Sequence, residues 1–312
     1  SHRMIWGGAM VEEYLTAVIE NQADRKLVLD MLEKAQIKGF LSARPSGISS
    51  LDVLEFYNNS RIISCVSEGT AIVSIKTSVQ GKEILLDLTT FCKLFEFQNL
   101  GKDFEINTKD DDLLEGVNKL YSDVCDLEKS DTPTEFKLAD IRTRHLLVHW
   151  DVLACILHRC FDGLQGGADQ ISQERWIMMF LLNQQDKRLE NPFNWGKYAF
   201  MKFVKKIQGF EPKIVKGLAE PKATVGYGLK ICYLLEKLGI ELRETAEIAN
   251  SNLLYKYEYT NLMKKVTGSQ KGPKKRKSEK ISEEKVATKK PRTSRKKSAG
   301  KSEDTPKEVV NS

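Results

Sequence analysis

A mainly α-helical fold is what this sequence predicts: a multi-helix body with a small β-hairpin or three-stranded meander in its N-terminal half, then a disordered basic tail. Three observations lead there. Apolar residues recur at helical spacing through most of the first 263 residues. Only the stretch from Ile62 to Leu86 alternates in the manner of short strands. The charges also divide sharply. The chain carries 49 Lys and Arg against 43 Asp and Glu, but residues 264–312 hold 17 against 6, a net of +11, which leaves 32 against 37, a net of −5, for the remainder. A mildly acidic body with a basic arm follows from that asymmetry.

The first nine residues are expected to be disordered. In the helical N-terminal half, 10–130, Val11, Tyr14, Leu15, Val18 and Ile19 share a helical face. Leu27, Val28, Met31, Leu32 and Ala35 repeat the spacing after a break near Asn21, giving two short helices or one bent one. Ser49, with Asp52 three residues on, starts a helix carrying Leu51, Leu54, Phe56 and Tyr57. Ile62–Val66, Ala71–Thr77 and Glu83–Leu86 are rich in Val and Ile, and turn pairs Glu68-Gly69 and Gln80-Gly81 separate them. Thr89 or Thr90 caps the helix of Phe91, Leu94 and Phe95. A surface loop over 99–112 and a helix over Leu113–Val124 complete this half, and Ser130–Thr134 (SDTPT) marks its boundary.

The C-terminal half, 131–263, is helical too and is expected to be continuous with the first. It opens with the stretch around which the chain looks organised, Phe136–Phe161, whose middle, Leu146–Leu157, is interrupted only by His149 and Asp151. A helix apolar on most faces is enclosed by its neighbours, and a run of 12 residues is too short for a membrane span of about 20. Ser172 caps a helix presenting Trp176, Met179 and Phe180. Asn191-Pro192 opens another with Trp195, Tyr198, Ala199, Phe203 and Ile207 inward. A further helix is expected from Thr224 to Leu238, closed by Gly239, and a more polar one over Glu244–Val266.

The chemistry-bearing residues do not assemble into a known reactive pattern. His145 and His149 lie four apart on the predicted helix, with Cys160 about 60° from their face. Leu146, Leu147 and Val148 between them exclude a His-Glu-x-x-His zinc motif, and no Cys-x-x-Cys pair exists. Asp110-Asp111-Asp112 lacks the glycine and glutamate spacing of a calcium loop and reads as the solvated start of a helix. No Walker loop, Gly-x-Gly-x-x-Gly or Gly-x-Ser-x-Gly occurs. Catalytic residues, metal ligands and cofactors are therefore not assigned. The six cysteines are scattered through core-like segments without a secretory signal before them, so reduced thiols of an intracellular protein are expected.

The tail carries the most specific local signal. Pro273 precedes Lys274, Lys275, Arg276 and Lys277, a compact nuclear-import pattern, and Arg276-Lys277 with Lys289, Lys290, Pro291 and Arg292 also fits a bipartite one. Arg295, Lys296 and Lys297 form a third cluster. With few apolar residues to fold around, such a chain leaves its ammonium and guanidinium groups free for an acidic groove or for phosphates. An importin-type import receptor, nucleic acid through the same residues and a nuclear location are the expectations; no membrane partner is. Lys197, Lys202, Lys205, Lys206, Lys213, Lys216 and Lys222 make a fainter basic region beside Phe193, Trp195 and Tyr198, read as a solvated helix face over core aromatics.

The order of several motifs resembles a plant transposon protein domain family. Gly39-Phe40-Leu41, Val53 to Asn58, Ser64-Cys65-Val66, Ile72 to Ile75 and Phe91 to Phe97 come first. Leu146–Leu157, Asp169 to Arg175, Met178-Met179, Asn194-Trp195 and Gly226-Tyr227-Gly228 with Ile231 and Leu234-Leu235 follow, over Ile37 to Ile240. The resemblance implies a protein of plant transposable-element origin, often retrotransposon-like, and supplies no catalytic residue. The expected function is thus a non-catalytic nuclear protein. Two alternatives are a DNA-transposition enzyme using metal-bound carboxylates and a retrotransposon coat-like self-assembly protein.

Overall fold

The computed structural model describes residues 3–4, 7–10, 12–67, 70–98, 109–138, 140–164, 169–184, 193–215, 224–248 and 253–254. The protein is mainly helical, with a three-stranded antiparallel sheet in its N-terminal half. Helices α1 (Glu12–Val18) and α2 (Gln22–Lys34) are separate, because the Asn21 side chain accepts from the backbone N–H of Ala23 at 2.8 Å and starts the second afresh. After α3 (Lys38–Ser42), Ser49 caps α4 (Ser50–Asn59) through the Asp52 N–H. Strands β1 (Arg61–Ser67), β2 (Thr70–Val79) and β3 (Lys82–Asp87) form the sheet, with Ile62 opposite Ile75 and Ile75 opposite Leu86. Gln80 and Gly81, both at positive φ, make the two-residue turn between β2 and β3, whose backbone twist matches that of the strands.

One sheet face is core: Ile75, Thr77, Val79, Ile84 and Leu86 are buried under α4, and the Thr77 hydroxyl donates to Phe56 O at 2.8 Å. The other is open to solvent, with Leu85 61% exposed and Ile63 and Ile72 about two-fifths so. Helix α5 (Leu88–Leu94) is capped by the Asp87 carboxylate through the Thr90 N–H, two or three residues before the expected caps Thr89 or Thr90. Asp110 likewise caps α6 (Asp111–Val124).

The expected helix over Phe136–Phe161 is shorter. Residues before Leu147 run irregularly through a 3₁₀ turn at Thr143–His145, and α7 occupies only Val148–Ile156. Long-range backbone bonds compete for the segment: Thr143 N–H donates to Asp169 O at 3.1 Å, and Leu147 N–H to Val124 O at 2.8 Å. The helix then widens into a π turn, Leu157–Phe161, closed by the Asp162 N–H on Leu157 O at 2.9 Å. Gly163 ends it at φ +66°; an added Cβ there would lie 2.9 Å from the Tyr227 ring, so both backbone and space require glycine.

Helix α8 (Gln173–Asn183) starts at Ser172, as its sequence indicates, but is enclosed more widely than one face: Arg175 to Met179, Leu181 and Leu182 are all buried. Helix α9 (Trp195–Val215) is capped by Asn194 through the Lys197 N–H at 2.9 Å; the Asn191-Pro192 start lies outside the described residues. The helix expected from Thr224 instead begins as a strand, Thr224–Val225, and α10 covers Gly228–Lys237. Tyr227 interrupts it in a left-handed conformation, φ 55°, that turns its ring onto Phe203 and its hydroxyl onto Phe161 O.

Nor do residues 244–248 continue into a helix. Arg243 binds Asp52 through its backbone N–H and its Nε, both at 2.7 Å, and Ala246 then bridges Ile48. Burial alone would raise the Asp52 pKa; the bonds from Arg243, Ser49 and Gln80 outweigh it and hold the carboxyl low. The expectation of disorder over 1–9 also gives way in part: Arg3–Met4 pairs in parallel with Thr224–Val225, and Ala9–Met10 with Leu253–Leu254.

Both stretches of sequence, 10–130 and 131–263, contribute to one apolar core. Its centre is aromatic. Phe40 lies 5.0 Å from Phe95 and 5.4 Å from Phe161, ring centre to ring centre, and Phe91 lies 5.3 Å from Phe200 and 5.8 Å from Phe203. These distances fall in the favourable range for tilted and edge-to-face rings. All six cysteines are free thiols, and no described helix is long and apolar enough to cross a membrane.

Candidate functional site

The π turn and the start of α8 meet α9 at a group of buried and half-buried ionisable side chains. His158 and Asp162 come from the turn, Glu174 and Arg175 from the first turn of α8, and Tyr198 and Lys202 from successive turns of α9. Arg175 Nη1 donates to Gln170 O at 2.8 Å, and its Nη2 lies 2.5 Å from His158 Nδ1. A guanidinium can only donate, so Nδ1 is the acceptor and His158 carries its proton on Nε2. Lys202 binds the Asp162 carboxylate and reaches Glu174 Oε2 at 3.3 Å, while Tyr198 donates to Glu174 Oε1 at 2.5 Å.

Electrostatically the group closes on itself. Burial pushes the Glu174 pKa up, yet Lys202 and the Tyr198 hydroxyl together hold it below the usual carboxylate value. Burial and the neighbouring Glu174 raise the Tyr198 phenol, and burial lowers Arg175 without threatening its charge. Two carboxylates thus neutralise two cations, and Tyr198, which would have to ionise to act as a base, is held protonated. Arg175 Nε stays 3.8 Å from Asp162 Oδ2 and has no hydrogen-bond partner among the described residues. The arrangement ties the π turn, α8 and α9 together at one point.

Sequence reading missed this group because its members lie 40 residues apart between Asp162 and Lys202. The local signals were the four-residue spacings of His158 and Asp162 and of Tyr198 and Lys202.

The histidines of the Phe136–Phe161 stretch are dispersed. His145 sits in the 3₁₀ turn, not on α7, and its Nδ1 accepts from the Arg142 N–H at 3.1 Å. His149 is nearly buried on α7, 3.5 Å from Asp24 of α2, and burial lowers the pKa of both rings despite that carboxylate and Asp131. Cys160 is fully buried. Among the described residues no group of three or more His, Cys, Asp or Glu could hold a metal ion. Asp110 is a helix cap, and Asp111 and Asp112 are exposed.

Lys230 is the least expected residue. It is 2% exposed on α10, with Nζ 3.3 Å from both Leu41 O and Ala43 O and 5.1 Å from the centre of the Phe40 ring. Burial lowers its pKa to about 8. Among the described residues, two carbonyls and a ring face are the partners of this ammonium.

On the faint basic region, Phe193 and Trp195 are core, Lys205 and Lys206 are exposed, and Lys202 is occupied by Asp162 and Glu174. Lys216 and Lys222 lie outside the described residues, as do all the tail residues: Lys274, Lys275, Arg276, Lys277, Lys289, Lys290, Arg292, Arg295, Lys296 and Lys297. Comparison with protein-family models, curated proteins and solved structures finds no match to this chain.

Two outcomes test this account of the buried charges. Asp162→Ala leaves Lys202 and Arg175 short of a partner and should cost about 3–5 kcal/mol in urea unfolding, against less than about 1 kcal/mol for a solvent-exposed carboxylate such as Asp111. For Lys230 the sign runs upward with pH. Its folded pKa of about 8 lies below the ordinary 10.5, so the unfolded chain binds more protons between those values and stability rises through that window. The difference in stability between wild type and Lys230→Met should therefore shift toward wild type by about 2 kcal/mol from pH 7 to pH 10. A pH-independent difference would show that Lys230 is not buried as a charge.

Proposed function

We propose that this is a non-catalytic nuclear protein of plant transposable-element origin whose basic tail is bound by an importin-type receptor. One observation carries the reading: the charge division between a body of net −5 and a tail of net +11. In the body, the clustered charges are spent on each other, as at Asp162, Glu174, Arg175 and Lys202. In the tail, Lys274 to Lys277, Lys289, Lys290, Arg292 and Arg295 to Lys297 outnumber nearby acids. Clustered cations in a segment poor in apolar residues suit an acidic groove. Phosphates attract the same residues, and non-specific nucleic-acid binding is the second part of the proposal. The transposable-element origin rests on the motif order from Gly39 to Leu235.

Removal of residues 271–301 from a tagged full-length protein should abolish nuclear accumulation, scored by microscopy; unchanged accumulation overturns the import assignment. Gel-shift titrations of the full chain on duplex DNA and single-stranded RNA should show affinity falling about tenfold or more between 50 and 200 mM salt. Salt-independent affinity, or none at 50 mM, removes the nucleic-acid part.

A further inference from the structure

We draw no further inference here: the strongest candidate, the solvent-exposed apolar face of the three-stranded sheet around Ile63, Ile72 and Leu85, carries nothing because nothing in the structure shows what covers it.

Discussion

The single extra residue in the π turn at Leu157–Phe161 is the constraint on which the rest depends. A turn closed from residue 162 back to 157 directs Phe161 into the aromatic core and sets Asp162 beside Lys202 and Arg175. The next residue, Gly163, allows Tyr227 to lie against it, and the Tyr227 hydroxyl returns to Phe161 O at 3.1 Å. Three features that look independent, the aromatic centre, the ionic tie and the left-handed entry to α10, therefore share one backbone irregularity. Their energetic roles differ. Each favourable ring pair adds about 0.5–1.5 kcal/mol beyond the area it buries. The ionic group gains little net, since desolvation offsets attraction, but breaking it is expensive. Rings supply stability and ions supply register.

Local chemistry explains which parts of this fold were legible beforehand. The strands could be read because Val and Ile alternate between turn pairs, and Gln80-Gly81 does make the tight hairpin. Ser49 and Ser172 cap their helices as their spacing indicates. Where long-range bonds compete, local pattern loses. Phe136–Leu147 has helical composition, but its backbone is claimed by Val124 and Asp169. Glu244 onward has helical periodicity, but Arg243 is held by Asp52 and the chain turns along Ile48. Periodicity also understated α8, since Arg175 and Met178 are buried outside the predicted face by elements remote in sequence.

The candidate site was legible only in part, for the same reason. His145, His149 and Cys160 are close in sequence, which made them conspicuous, and a 3₁₀ turn separates the first from the helix of the second. Asp162, Glu174, Arg175 and Lys202 gather only once three helices pack. Lys230 gave no signal either: among apolar neighbours on α10 it looks like a solvent-facing residue, until the carbonyls of Leu41 and Ala43 are brought to it. A buried cation is a tertiary fact.

The functional proposal rests on how charge is divided along the sequence. Buried cations such as Lys202 and Lys230 are committed to carboxylates, carbonyls and a ring, whereas the excess positive charge of the sequence is concentrated in residues 264–312. On this proposal recognition belongs to the tail and the body has a supporting role, which makes the tail's sufficiency the central claim. The direct measurement is to fuse residues 264–312 to a reporter protein too large to diffuse through nuclear pores and to image its distribution. The account predicts nuclear accumulation that is lost when Lys274, Lys275, Arg276 and Lys277 are changed together to Ala. A reporter that stays outside the nucleus, or enters equally well with those four residues replaced, contradicts it.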